Sequence, residues 1–218
     1  MILNSKSFSV IDRDKIKGNI HIVGVGALGG AIVLNLVRLN LASKIIVHDF
    51  DTVEEKNLNN QVYLRKHIGK LKVDALKDLC LEIDNDPIRT SSNKVEFLRT
   101  KPDDVIILCP DSFKARTQIL KAIERPCLII TAGLSSIGGS VYRTHNHYTE
   151  LSQEFEDLPE EIPTEDTTAC GSPISIYHRI QIISGLVCEE LLKGLKEKQD
   201  VKIQVDIPNG FLASYNWK

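Results

Sequence analysis

The chain has 218 residues, which at about 150 per domain allows one large domain or one domain with a subdomain. Hydrophobic side chains make up 42% and charged ones 26%, proportions that exclude wholesale disorder and a collagen-like fibre. Basic residues number 27 and acidic ones 29, and the net charge of −2 argues against a dedicated nucleic-acid binder, which would carry a basic excess on one face. Five cysteines, an odd count with no C-x-x-C pair, give neither a disulfide framework nor the usual zinc signature. Residues 1–6 lack the basic-then-apolar pattern of a signal peptide. The longest apolar stretch, 174–192, carries His178, Arg179, Glu189 and Glu190, so no membrane span is expected and the expected setting is the cytoplasm.

Residues 19–23, Asn19-Ile20-His21-Ile22-Val23, form a short β-branched run that ends in glycines and reads as a strand. Residues 27–40 follow as a helix, with Leu28, Ile32, Leu36 and Leu39 recurring at three- and four-residue intervals. A second strand over 44–48 completes a unit whose length predicts a right-handed parallel crossover. A helix over 70–83, an edge strand over 89–95, a buried strand over 104–108 and a helix over 114–123 continue the alternation. Strands over 127–132 and 139–143 follow. This is the pattern of an open α/β sheet, doubly wound and mostly parallel, with helices on both faces.

Composition then shifts. Residues 150–166 hold eight acidic side chains and no Lys or Arg, with Pro159 and Pro163 inside, and read as a solvated, mobile loop. Pro173 lies near the start of a long amphipathic helix to about Leu195, with Gly171 or Ser172 as its N-cap. Residues 201–205 and 211–217, either side of Pro208-Asn209-Gly210, read as a terminal hairpin.

Gly24-Val25-Gly26-Ala27-Leu28-Gly29 sits where the first strand meets the first helix. Gly24 allows the tight turn, Gly26 lets backbone approach a phosphate, and Gly29 lets helix and strand come close. The helix N-terminus adds unpaired N–H groups and a partial positive charge. Asp49, about twenty residues past the loop, is placed to accept the ribose hydroxyls. On these features alone a NAD(P)-dependent oxidoreductase is the default.

The next stretch points elsewhere. Asp49-Phe50-Asp51-Thr52-Val53, Asn57-Leu58-Asn59-Asn60-Gln61 and Ile68-Gly69-Lys70-Leu71-Lys72 closely resemble the ThiF/MoeB/E1 superfamily of ATP-dependent adenylyltransferases. Cys109-Pro110-Asp111-Ser112 leading to Arg116, and Cys170-Gly171-Ser172-Pro173 before a long helix, extend the resemblance over about residues 17–193. It implies a Rossmann-like sheet, a single adenylation domain over 1–218 with a crossover loop at about 144–170, and the cofactors ATP and Mg²⁺. It also implies activation of the C-terminal carboxylate of a small ubiquitin-like or sulfur-carrier protein ending in Gly-Gly. By the resemblance Asp49 holds the ribose, Asp51 assists, Asn57 and Gln61 contact the triphosphate region, Lys72 neutralises α/β-phosphate charge and Asp111 binds Mg²⁺. Arg116 is structural or near the site. In relatives with a thioester step a cysteine sits in the crossover, and Cys170 is the candidate, its thiolate favoured by a helix start.

The family pattern is N-L-x-R-Q, and here Asn60 stands at the arginine position. Arg65 or Arg13 is the candidate substitute, the latter from a second copy, since the resemblance implies a homodimer. Asn60 also motivates an alternative, a non-catalytic partner subunit, although Gly26, Lys72 and Asp111 together are more than a scaffold requires. Each site residue also has a plainer reading: Asp111 as a helix cap, Lys72 as a solvated lysine, Asn57 and Gln61 as turn formers. Cys80, Cys109, Cys127 and Cys188 read as core residues. His145 and His147 alternate in a strand-exit loop, and with no nearby cysteine a metal site there is not favoured.

Overall fold

The computed structural model describes Arg13 and residues 16–95, 98–125, 127–135, 138–157 and 177–216. Its centre is β1 (Ile20–Val23), a four-residue run buried along its whole length. It is flanked by β2 (Ile45–His48) and β4 (Val105–Leu108), both parallel to it. Outside them lie β3 (Arg89–Ser91), parallel to β2, and β5 (Leu128–Leu134), parallel to β4. A strand covered on both faces reads as continuous apolar sequence, which is why Val105-Ile106-Ile107-Leu108 shows no polar alternation. β6 (Gly138–Thr144), β7 (Val201–Asp206) and β8 (Phe211–Asn216) then extend the sheet antiparallel. The order is β3-β2-β1-β4-β5-β6-β7-β8. The chain leaves β1 toward β2 on one side and returns from β3 to β4 on the other. Such a reversal opens a crevice at the carboxyl ends of the strands.

Among the described residues five helices cover the sheet: α1 (Ala27–Arg38), α2 (Lys72–Leu81), α3 (Phe113–Lys121), α4 (Tyr148–Glu156) and α5 (Tyr177–Gly194). Alternate strand residues feed two cores. Ile20, Ile22, Ile107 and Ile130 join Ile32, Leu36 and Val187 on one face, while Val23, Ile106, Leu108 and Ile129 join Ile119, Leu151 and Phe155 on the other. α1 and α5 share the first face, where Asn35 Nδ2 donates to Ser184 Oγ at 3.1 Å.

The expected elements appear with boundaries shifted by a few residues. The substantive difference lies in the acidic stretch. Residues 148–156, which overlap the 150–166 segment expected to be a solvated loop, are helical because Leu151 and Phe155 bury one face against α3 and the sheet. Two acidic side chains on this helix find cations: Glu154 accepts from Lys202 Nζ at 2.5 Å and Glu156 pairs with Lys121. Counting charges without the apolar spacing of Leu151 and Phe155 hides this amphipathic turn. Residues 158–176, with Cys170 among them, lie outside the described residues.

α5 is tied to β6 by a buried ion pair. Arg143 Nε lies 2.9 Å from Glu190 Oε2, with side chains only 2% and 3% exposed. Lys193 Nζ adds a 3.1 Å contact to Glu190 Oε1. Removing one charge from such a pair strands the other, so Glu190→Ala is expected to cost about 3–5 kcal/mol. Urea unfolding followed by circular dichroism measures it. A loss below about 1 kcal/mol would mean that Arg143 finds water instead.

Candidate functional site

A cleft of about 280 Å³ opens at the carboxyl ends of β1, β2 and β4. Gly24 and Gly26 from the loop after β1, Asp49 and Asp51 from the loop after β2, Lys72 at the start of α2 and Asp111 after β4 all line it. Residues scattered over nearly ninety positions of sequence thus meet in one place, because each follows a strand end or opens a helix.

The glycine loop is built by close approach. Gly24 has φ +84°, a conformation that side chains rarely adopt. A Cβ on Gly29 would fall 2.0 Å from the Gly24 carbonyl oxygen, so the first turn of α1 rests on the end of β1. Gly26 is different. A Cβ there would meet nothing closer than Gln61 Nε2 at 4.0 Å, and it would extend into open space. Gly26 is also the N-cap of α1, which has no side-chain cap and no acidic residue in its first turn. The first N–H groups of the helix are thus left for an outside acceptor.

Asp49 organises the mouth. Its Oδ2 accepts from Val25 N at 2.8 Å and its Oδ1 from Asp51 N at 2.9 Å, so one carboxylate locks the glycine loop to the loop after β2. Burial pushes its carboxyl above the usual range, opposed by these two N–H groups and by the charge of Lys72. Each oxygen retains acceptor capacity toward the cleft.

Lys72 is placed by a short zipper. Val53 N donates to Lys70 O at 2.8 Å, and Lys72 N donates to Asp51 O at 2.9 Å. Gly69, with φ +84°, makes the turn between them, and its N–H bonds Val53 O at 2.9 Å. The Lys72 side chain is 9% exposed and its Nζ lies 2.8 Å from Asp51 Oδ2. It is therefore a fixed charge in the cleft wall rather than a solvated lysine.

Asp111 is exposed at the cleft rim. The capping role that its position at the end of β4 suggests belongs to the next residue: Ser112 Oγ accepts from Ala115 N at 3.1 Å. Arg116, whose place the sequence leaves open, is structural. Its Nε donates to Pro110 O at 2.8 Å and its guanidinium lies 5.6 Å from the Phe113 ring and 5.9 Å from that of Phe155. It thus pins the Cys109-Pro110-Asp111 turn from below. Cys109 also lines the cleft, but burial pushes its thiol up to about 12, so it is not a nucleophile at neutral pH.

The remaining residues lie behind the cleft or away from it. Asn57 is buried outside the lining, and its Oδ1 accepts from Glu54 N at 2.8 Å, capping a short 3₁₀ turn. Gln61 stands behind Gly26 with a buried, unpartnered Oε1, an amide available to a ligand group reaching past the loop. Tyr63 holds this segment in place by donating to Val25 O at 2.6 Å. Arg65 pairs with Glu55 at 3.1 Å and Arg13 with Asp86 at 3.3 Å, and neither lines the cleft of its own chain. His147 pairs with Asp200, and His145 Nε2 lies 3.0 Å from Gly194 O. Among the described residues no group of three potential metal ligands occurs, and no helix is long and apolar enough to cross a membrane. Sequence reasoning passed over four polar cleft-lining residues, His48, Asn93, Lys94 and Gln118. Only His48 carried a signal, its position directly before Asp49 at the strand end.

Comparison with known proteins bears on the family and the fold. A family model described as the ThiF family matches residues 5–216. The ubiquitin-like modifier-activating enzyme 5 of Drosophila persimilis is 32% identical over 133 residues, covering 53% of this chain and 34% of that protein. The enzyme of the same name from Gallus gallus is 30% identical over 128 residues, covering 50% and 32%. The chain thus spans about a third of the length of these relatives. Among solved structures, PaaA superposes with a TM-score of 0.67 at 18% identity, covering 94% of this chain and 65% of that one. MccB of E. coli, solved with ATP, gives 0.65 at 14% identity, covering 94% and 64%.

The two glycines separate ligand space from packing. Gly29→Ala forces a shift of backbone and is expected to cost about 1–3 kcal/mol. At about 2–4 °C per kcal/mol for a chain of this size, that lowers Tm by roughly 2–12 °C. Gly26→Ala, with room for the methyl, is expected to stay within about 2 °C of wild type. Differential scanning calorimetry on both variants decides, and equal losses would show that the space at Gly26 is not kept for a ligand.

Proposed function

The chain belongs to the ThiF family, and on that premise we propose that it is an ATP-dependent adenylyltransferase. It activates the C-terminal carboxylate of a small ubiquitin-like or sulfur-carrier protein ending in Gly-Gly. The observation that carries this reading is the meeting of Lys72 and Asp111 with the glycine loop in one cleft. The names of the relatives, activating enzymes for ubiquitin-like modifiers, and a neighbour solved with both a nucleotide analogue and MccA support it.

In the proposed reaction a carboxylate oxygen of the carrier attacks the α-phosphorus of ATP. The bond to the bridging oxygen breaks, pyrophosphate leaves and an acyl adenylate forms. Negative charge grows on the phosphate oxygens, so fixed positive groups lower the barrier. The N-terminus of α1 faces the phosphates across Gly26, Asp49 holds the ribose, and Lys72, aligned by Asp51, stands at the α/β-phosphates. Gln61 supports the loop from behind and Asn57 shapes the segment that carries it.

The cleft is lined by Asp49, Asp51 and Asp111 against Lys72 and Lys94. Such an excess of carboxylate suits a nucleotide that arrives with a cation. Asp111 is an exposed carboxylate with no ion-pair partner among the described residues, the donor expected for Mg²⁺. When bound there, Mg²⁺ would offset phosphate charge. A cation to replace the arginine missing at Asn60 would come from Arg13 of a second copy in a homodimer. Cys170 would take the acyl group as a thioester, releasing AMP.

Pyrophosphate exchange into ATP, with Mg²⁺ and a panel of Gly-Gly-ending carrier proteins, tests the proposal. Lys72→Ala and Asp111→Asn are each expected to lower the exchange rate by about 10²- to 10³-fold with Tm little changed. A Cys170→Ala variant should retain exchange while losing the carrier adduct that thiol reagents release. If the wild-type protein binds ATP but exchanges with no carrier, the non-catalytic partner subunit takes its place.

A further inference from the structure

Beneath the cleft, on the face of the sheet that carries α3, two histidines stack between the strands. His21 of β1 and His48 of β2 have ring centroids 5.4 Å apart and planes inclined by 16°. His21 Nδ1 lies 3.1 Å from His48 Nε2, a hydrogen bond whose direction depends on the tautomers. Asp104 stands behind them, its Oδ2 3.7 Å from His21 Nε2. This is too long for a hydrogen bond but close enough for the carboxylate's charge to favour a proton on that nitrogen. The carboxylate is held in place by Asn19 N at 2.8 Å and Lys101 N at 2.8 Å.

The order of donors follows from this end. A carboxylate accepts only, so the charge of Asp104 favours the His21 tautomer with its proton on Nε2 and a bare Nδ1. His48 then donates through Nε2, and its own Nδ1 is left as an acceptor with no partner among the described residues. Both rings are neutral at physiological pH. Burial lowers His48 to about 4, with His21 adding to the effect. Burial also lowers His21, against the pull of Asp104 and with help from Arg89.

His48 lines the cleft, and its position decides which part of a ligand it meets. Val23 and His48 are register partners in parallel strands, so they face the same side, toward Ile106, Leu108 and Ile119. Asp49, one residue on, turns to the opposite side and reaches Val25. The cleft is thereby divided. The glycine loop, Asp49 and Lys72 form a polar part for phosphate and ribose, and Val23, Val95, Ala115 and Ile119 form an apolar wall suited to a flat ring. His48 belongs to the wall.

We propose that His48, oriented by His21 and Asp104, reads the nucleobase by accepting a hydrogen bond from the 6-amino group of adenine through Nδ1. Guanine presents a carbonyl at that position and meets a lone pair instead. His21 and Asp104 are positioning residues that set which nitrogen of His48 is bare. The inference rests on the nucleotide-binding reading above and adds the side chain that selects the base.

Calorimetric titration of the full chain, with Mg²⁺, against ATP and against purine ribonucleoside triphosphate, which lacks the 6-amino group, tests it. Wild type should bind the deaminated analogue about 3- to 10-fold more weakly, the worth of one neutral hydrogen bond. His48→Ala should bind both equally, and His48→Asn, whose amide oxygen reaches the place of Nδ1, should restore the difference. Nitrogen-15 spectra of the wild-type protein should show His48 protonated on Nε2 and bare on Nδ1. An Nδ1–H tautomer, no discrimination by wild type, or discrimination that survives in His48→Ala and so belongs to Asn93 or Gln118, would each overturn the proposal. Absence of ATP binding altogether would instead remove the nucleotide reading on which it stands.

Discussion

The seating of α1 against the end of β1 is the constraint on which the rest of the cleft depends. The helix begins so close to the strand that only hydrogen fits between Gly29 and the Gly24 carbonyl. This contact aims the unpaired N–H groups of the helix across Gly26 into the crevice rather than into solvent or protein. It also brings Val25 N within reach of the Asp49 carboxylate, which couples the loop to β2. Had α1 begun a residue later or stood farther off, neither the open helix N-terminus at Gly26 nor the bond from Val25 N to Asp49 would be in place.

Electrostatic balance follows from that arrangement. A carboxylate-rich crevice repels a polyanion unless its charges are committed elsewhere or offset by a cation. Asp49 spends part of its acceptor capacity on backbone N–H groups, and Asp51 holds Lys72. Asp111, relieved of helix capping by Ser112, faces the opening without a partner among the described residues. The division of labour is local: of two adjacent residues on one turn, Ser112 caps the helix and Asp111 is left to line the cleft. Arg116 extends the same logic, because a buried guanidinium bonded to Pro110 O holds the turn while remaining outside the cleft itself.

Much of the fold was legible in the chain order of its residues. Uniformly apolar runs such as Val105-Ile106-Ile107-Leu108 mark strands covered on both faces, and the three- and four-residue spacing of Leu28, Ile32 and Leu36 marks a helix with one buried side. The helix at residues 148–156 was not legible, since an acidic block conceals two apolar residues spaced four apart. Asn57 shows a different limit. Its motif spacing signals the region of the cleft, yet its own amide turns back to Glu54 N.

Motif and period are properties of neighbours along the chain, so the amino-acid sequence by itself determined the alternation of strands and helices, the glycine loop and the membership of its family. What only the tertiary structure decided is which atoms face one another between elements: Asp51 against Lys72, Arg143 against Glu190, and His21 against His48. These pairs join residues between 21 and 47 positions apart, at distances near 3 Å. The first two depend on how loop and helix seat against the sheet; the last depends on strand register, and a shift of one residue in β1 or β2 would send its histidine to the opposite side of the sheet.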